Sequence, residues 1–353
     1  MRDPNYTWLI KLLIKEMKKI GVGVIGASGY TGEILTGLLL NHPHIEILAL
    51  SSRQLEGEKV SHVFTELNIE TDLKFISPDE EIFNQCDAIF LCTPHGTSMN
   101  LVKNFIINEV RVIDLSADFR FKDPQLWKEW YGLEHKDPIL LKNSVYGLSN
   151  FYQKDIRLSN LVAVPGCYPT VSLISIIPSL EIDQRVGSII IDAKSGITGA
   201  GRSSVENGLS DEMQDNFKVY GESGHRHYPE IKQIINSFTT EEVELTFTVQ
   251  LLPTMRGIYC TTYINFEGPI NLDMSKIYKD YYLHSKNINV VEEVPDLNSV
   301  IGKNNCNLFV QKTTIENQIL VISCLDNLIK GASGQALENF NLMFNFEQNA
   351  GLT

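Results

Sequence analysis

Two textures of hydrophobic patterning divide the chain. From Lys19 to about Asp114, short apolar runs rich in β-branched residues alternate with stretches of helical period. IGVGVIG is followed by TGEILTGLLLNH and IEILALSS, and further on come DAIFLCT, SMNLVKNFIINE and VRVIDLS. Strands and helices alternating at this spacing predict right-handed βαβ units and a parallel sheet. Beyond Cys167 the apolar runs lengthen, as in VGSIIIDAKSG, VELTFTVQLLP and GIYCTTYINF. Their hairpin-like or long connections predict a mixed or antiparallel sheet with helices on one face. The last stretch, QILVISCLDNLIKGASGQALENFNLMFNF, ends in an expected amphipathic helix with Ala336, Leu337, Phe340, Met343 and Phe344 on its apolar side.

The expected fold class is α/β. A Rossmann-type parallel-sheet domain spans residues 19–165 and is completed by a returning C-terminal helix within 327–353, and an α+β domain with a mixed or antiparallel sheet spans 166–326. Residues 1–18 read as an N-terminal extension. Their apolar stretch is broken by Lys11 and runs into a strand without a small-residue cleavage site, so it is not a secretory signal.

Charge and cysteine usage narrow the function class. Thirty basic against forty-three acidic side chains give a formal charge of −13, which argues against nucleic acid or an anionic membrane as partner, so an anionic substrate must meet individually placed arginines. No apolar run approaches the roughly 20 residues that span a bilayer. Six cysteines with no CxxC spacing read as reduced thiols of a cytoplasmic protein.

The first strand runs into GVIGASGYTG, with Gly23, Gly26, Gly29 and Gly32 at intervals of three before a helix opening near Tyr30. Glycines there let the backbone approach a pyrophosphate whose charge the helix N-terminus favours, although tight strand-to-helix turns also use glycine for steric reasons alone. The second strand ends in Ser51, Ser52 and Arg53 rather than the acid that bonds a ribose 2′-hydroxyl, which favours NADP over NAD unless Arg53 is merely solvated. Thr93, Pro94 and His95 close a later strand, at the sheet edge where cofactors lie, and VIDLSADFR brings Arg120 to the same edge. Arg120 reads either as a fork for phosphate or carboxylate or as an ion-pair partner of a nearby aspartate.

VAVPGCYPT places Cys167 at the start of a helical run, where the dipole is expected to lower the thiol pKa and make a nucleophile; the other five cysteines read as small core residues. GHRHYPEI supplies His225, His227 and Glu230 as proton partners. Apart from Glu230 no further ligand stands at metal spacing, so acid–base work is favoured over zinc and no metal is expected. KSGITGAGR offers Lys194, Ser195 and Arg202 to an anion, or is a surface loop.

Taken together, GASGYTG, VIDLSADFR, PGCYPT, KSGITGAGR and GHRHYPEI, followed by LLPTMRGIYCTTY and NLIKGASGQALENFNLMF, resemble the N-acetyl-γ-glutamyl-phosphate reductase family of the aspartate-semialdehyde-dehydrogenase-like group, from about Lys19 to Phe344. Val164 departs from it, standing where the family usually has Asn. The resemblance implies NADPH-dependent reduction of N-acetyl-γ-glutamyl phosphate to N-acetylglutamate 5-semialdehyde and phosphate in arginine biosynthesis, through a thioester on Cys167. It implies His227, with His225 next, as acid/base, and Glu230 as a residue that orients one of them or contacts substrate. Arg120 and Arg202 are the phosphate and carboxylate clamps. Gly26, Ser28, Gly29, Tyr30, Thr31, Gly32, Ser51 and Arg53 hold the nucleotide, and Asn327 reaches the nicotinamide amide. The second domain carries the catalytic groups and the subunit interface of a homodimer or homotetramer. The rival readings are aspartate-semialdehyde dehydrogenase or another acyl-phosphate reductase, and a non-enzymatic NADP sensor.

Overall fold

The computed structural model describes residues 19–67, 71–221 and 224–352; the expected extension 1–18 lies outside them. The first sheet is seven parallel strands. In chain order they are β1 (Ile20–Ile25), β2 (Ile45–Ser51), β3 (Phe75–Ile76), β4 (Ala88–Leu91), β5 (Arg111–Asp114), β6 (Val145–Tyr146) and β7 (Leu161–Ala163), and across the sheet they lie in the order β3-β2-β1-β4-β5-β7-β6. Strand order reverses between β1 and β4, so the carboxyl ends of these two strands open a crevice suited to a ligand. Helix α1 (Tyr30–Leu40) rises directly from the β1 turn, and α2 (Ser98–Ile107) from the β4 turn. α2 and α3 (Pro124–Tyr131) cover one sheet face, where Met99, Val102, Phe105 and Trp127 join a core with Ile89 and Val112.

The second sheet is mixed, with β8 (Val186–Ser195), β9 (Lys218–Val219), β10 (Glu244–Leu251), β11 (Ile258–Phe266), β12 (Ile288–Val290), β13 (Cys306–Lys312) and β14 (Gln318–Leu325) in the order β12-β13-β14-β11-β8-β10-β9. β11 alternates buried and half-buried residues along its length, the period-two signature of a sheet covered on one side. The covering layer is α4 (Cys167–Leu180), α5 (His227–Phe238) and α6 (Met274–Tyr281); Val171, Ile174, Ile231, Ile235 and Tyr278 meet Ile189, Ile191, Cys260 and Val321 in one core.

The final helix, α7 (Gly334–Met343), packs Ala336, Leu337, Phe340 and Met343 on the first sheet's core with Val22, Val24 and Phe90. The apolar stripe is the one expected of an amphipathic helix, but the polar side is covered as well, and all ten of its residues are buried. Its polar side faces protein, where Gln335, Glu338, Asn339 and Asn341 all find hydrogen-bond partners.

Candidate active site

Cys167 is the first residue of α4, capped by the Gly166 backbone with no side chain closing the helix N-terminus. The loop ahead of it is held by Glu230, which is fully buried at the first turn of α5. Glu230 Oε1 accepts the Gly166 N–H at 2.9 Å and the Tyr146 hydroxyl at 2.8 Å, and Oε2 takes Arg120 Nη1 at 3.4 Å. No hydrogen bond runs from Glu230 to either histidine, where the expectation had it orient one of them or contact substrate. The carboxylate braces the cysteine loop and the buried arginine instead.

His227 stands against the same loop. A Cβ at position 166 would lie 2.3 Å from its Nε2, so glycine is required for this approach. Nδ1 of His227 is buried without a partner, while His225 Nδ1 accepts the His227 backbone N–H at 3.1 Å and the two rings lie 4.7 Å apart. Burial drives His227 well below the ordinary imidazole value, and His225 and Arg120 push it further in that direction. Burial likewise takes His225 and His95 down to about 4. These imidazoles are neutral at physiological pH, the form that accepts a proton.

The thiol departs from the sequence reading. Burial raises Cys167 to about 11, and this outweighs the helix N–H of Tyr168 and the nearby charge of Arg120. The helix N-terminus does act in the expected direction, but desolvation is the larger effect. Cys167 therefore rests as a thiol.

Cys167, His227, Arg120, His95, Val164, Thr198, Asn327 and Gly331 line one cleft of ≈ 300 Å³ with Gly29, Tyr30, Thr31 and Gly32. A second cleft, of ≈ 440 Å³, is lined by Gly26, Ser28, Ser51, Ser52, Arg53, Pro94, Thr97 and Leu101. The two share Gly29, Thr93 and Arg202. Gly26 has φ +82°, and a Cβ there would press to 2.6 Å from the Cys92 carbonyl. Its N–H is held by Ser51 Oγ at 3.2 Å, and Ser52 Oγ donates to Ser28 Oγ at 3.0 Å. The α1 N-terminus is uncapped by any side chain, leaving backbone donors for an anion. Thr93 Oγ1 pairs with Ser98 Oγ at 2.9 Å, which in turn donates to buried Asp114 at 2.8 Å.

Several expected ligands are engaged elsewhere. Arg120 Nε donates to the Val164 carbonyl at 2.8 Å and Nη2 to the Leu115 carbonyl at 2.9 Å, so this guanidinium is fixed largely by backbone. The first of these bonds uses the backbone of residue 164, so Val serves it as well as Asn would. Arg202 pairs with Glu33 of α1, stacks 4.4 Å over the Tyr30 ring, and keeps a buried Nε without a partner. Asn327 Oδ1 accepts the Gly257 N–H at 2.7 Å and Nδ2 donates to Thr198 Oγ1 at 3.0 Å, leaving one amide N–H for any ligand. Lys194 and Ser195 do not line the cleft. Strand alternation in β8 sends Lys194 to the face away from the core, where it pairs with Asp192, and the Ser195 hydroxyl donates to the Gly196 carbonyl at 2.9 Å. Tyr146 and Thr198 were missed by the sequence reading: Tyr146 lies in no segment with a chemical pattern of its own, and Thr198 stands inside KSGITGAGR, where its neighbours Lys194, Ser195 and Arg202 carried the expectation instead.

Among the described residues no group of three or more His, Cys, Asp or Glu side chains is placed to hold a metal, and no helix is long and apolar enough to cross a membrane. Two family models match, the semialdehyde dehydrogenase NAD binding domain over residues 21–159 and the semialdehyde dehydrogenase dimerisation domain over residues 167–327. N-acetyl-gamma-glutamyl-phosphate reductase of Ruthia magnifica is 42% identical over 336 residues, 94% of this chain and 98% of the relative. The enzyme of that name from Acinetobacter baylyi is 40% identical over 343 residues, 95% of this chain and 98% of the relative. In solved structures the fold is that of aspartate semialdehyde dehydrogenase II of Vibrio cholerae, complexed with ASA, with TM-score 0.72 at 15% identity over 93% of this chain and 99% of that one. The Candida albicans aspartate semialdehyde dehydrogenase with NADP gives 0.69 at 14% identity over 93% of this chain and 99% of that one. With near-full-length relatives at this identity, and both halves matched in order, the chain belongs to the N-acetyl-γ-glutamyl-phosphate reductase family, built on the semialdehyde dehydrogenase domains.

Proposed function

We propose that the chain reduces N-acetyl-γ-glutamyl phosphate with NADPH, giving N-acetylglutamate 5-semialdehyde, phosphate and NADP in arginine biosynthesis. One observation carries this reading. The Cys167 thiol, at a helix N-terminus beside neutral His227, opens into a cleft that shares Gly29, Thr93 and Arg202 with the nucleotide cleft.

The residues present fit a dinucleotide. The Gly26–Gly32 turn and the uncapped α1 N-terminus suit the pyrophosphate, and Ser28, Ser51, Ser52 and Arg53 suit a 2′-phosphate. Thr93, Pro94, His95 and Asn327 would hold the nicotinamide end. Bound NADPH supplies the hydride.

The chain's own residues do the rest. As Cys167 sulfur bonds to the acyl carbon, its proton passes to His227, and the carbon–oxygen bond to phosphate breaks to leave a thioester. Proton transfer within the encounter replaces a resting thiolate. The anionic phosphoryl group raises the imidazole's basicity by offsetting Arg120. After reduction, the oxyanion of the thiohemiacetal collapses, the carbon–sulfur bond breaks, and the departing sulfur recovers the proton from His227. Arg120 and Arg202 bear the substrate's charge. His225 sets the His227 backbone, and Glu230 holds the Gly166 N–H.

Residues 19–165 with 327–353 form the nucleotide-binding unit in this reading, and 166–326 the catalytic and dimerisation unit. The uncovered face of the second sheet, with Ile190, Phe309, Tyr263 and Ile322 all at least partly exposed, supports pairing with a second copy in a homodimer or homotetramer. Light scattering of an Ile190→Glu variant tests this, and an unchanged mass argues against that face. Six free cysteines support a reducing, cytoplasmic setting.

The test of function is phosphate-dependent NADP reduction with N-acetylglutamate 5-semialdehyde, run beside aspartate semialdehyde and beside Cys167→Ala. Turnover restricted to the acetylated aldehyde and lost in the variant is expected. Equal use of both aldehydes points to the broader acyl-phosphate reductase reading. No turnover from a folded, NADP-binding chain leaves a nucleotide sensor.

A further inference from the structure

A buried ion pair lies one residue from the thiol's backing wall. After β14 the chain forms a π-turn, Ile329–Ser333, and enters α7. Lys330 and Glu338 are both fully buried. Lys330 Nζ donates to both Glu338 oxygens, at 2.8 and 3.0 Å, and to Asn150 Oδ1 at 3.0 Å. Glu338 also accepts Asn287 Nδ2 at 2.7 Å, Asn304 Nδ2 at 2.5 Å and Gln348 Nε2 at 2.9 Å. These partners come from well-separated stretches of the chain. A buried pair of this kind contributes little net stability against an apolar replacement, but it tolerates few geometries.

What the pair fixes is the turn between its two members. Gly331 presses on the thiol residue, since a Cβ there would lie 2.9 Å from the Cβ of Cys167. Ser333 Oγ donates to the Thr31 carbonyl at 2.8 Å, on the nucleotide turn. Gln335 Nε2 donates to Thr170 Oγ1 at 2.8 Å, and Thr170 Oγ1 donates to the Gly166 carbonyl at 2.9 Å. Three residues within a five-residue stretch, Gly331, Ser333 and Gln335, thus touch the mount of the sulfur and the mount of the cofactor. π-turns are rare and cluster at functional sites.

We propose that Lys330 and Glu338 are positioning residues that clamp this turn and so set the separation between Cys167 and the nucleotide turn. The proposal rests on the function proposed above. Hydride transfer is steep in distance, and a misplacement near 1 Å costs about 100-fold in rate.

The test is the double variant Lys330→Met/Glu338→Gln, which removes the charges together so that neither is left buried alone. Its thermal unfolding, NADPH affinity by nucleotide fluorescence, Cys167 alkylation rate with iodoacetamide, and turnover with NADPH deuterated at the transferred position are compared with wild type. The expected result is kcat lower by about 100-fold with an unchanged KM, an isotope effect larger than wild type, and unchanged alkylation and nucleotide affinity. Wild-type kcat and isotope effect in the folded fraction overturn the proposal, whatever happens to Tm. Should the double variant not fold, Ser333→Ala/Gln335→Leu leaves the ion pair intact and cuts both links. It is expected to lower kcat and raise the isotope effect, and wild-type values overturn the proposal. If wild-type protein binds NADPH but never turns over, the proposed function fails. The clamp is then read from the alkylation rate with and without NADP, which the double variant is expected to uncouple; unaltered coupling overturns it.

Discussion

At the scale of single residues, Cys167 and Gly166 make separate predictions. A thiol raised to about 11 is protonated at neutral pH, so iodoacetamide should label ligand-free Cys167 slowly at pH 7. The rate should then climb about tenfold per pH unit up to pH 9, followed by mass spectrometry. A plateau reached below pH 8 would contradict the burial argument. Gly166→Ala should force His227 off the cysteine loop and lower kcat by about 100-fold, with the fold retained by circular dichroism. The cysteine proposed as nucleophile was legible in PGCYPT because a glycine, a cysteine and a helix start are local signals. Its resting charge was not, because desolvation depends on residues far along the chain. The same reason hid the work of Glu230, whose partners Tyr146 and Arg120 lie 84 and 110 residues away.

At the scale of elements, most of the longer strands lie within the apolar runs that predicted them, namely β1, β2, β8, β10, β11 and β14. The seven-residue β13 lies outside those runs, and the two-residue strands β3, β6 and β9 are too short to leave a period. α7 shows what periodicity cannot report. Its Ala336, Leu337, Phe340 and Met343 stripe was legible, but the opposite stripe of Gln, Glu and Asn reads as solvent-facing unless its partners are known. Phe340 is fully buried and packs tilted against Phe90 and Phe344, so Phe340→Ala should cost about 3–5 kcal/mol in chemical denaturation. A cost near zero would mean that the helix does not close the first core.

At the scale of the whole molecule, one buried carboxylate predicts a pH dependence of stability. Burial and the neighbouring Asp118 push Asp114 up to about 7, against about 4 in an unfolded chain. Between those values the folded chain binds the proton that the unfolded chain has released. This group's contribution to stability is therefore greatest below pH 4, falls as pH rises to 7, and is level above. Asp114→Asn should remove that component, so that wild type loses stability relative to the variant across this window in urea titrations. A difference independent of pH would show that Asp114 ionises as in the unfolded chain.

Arg202 opens a short helix in one half of the molecule and is tethered to Glu33 on a helix of the other, in the wall common to both clefts. A ligand in either cleft that draws the guanidinium away from Glu33 resets the same side chain for its neighbour. The two occupants are then thermodynamically linked, and the factor by which nucleotide alters affinity for the acyl phosphate must equal the factor in the reverse direction.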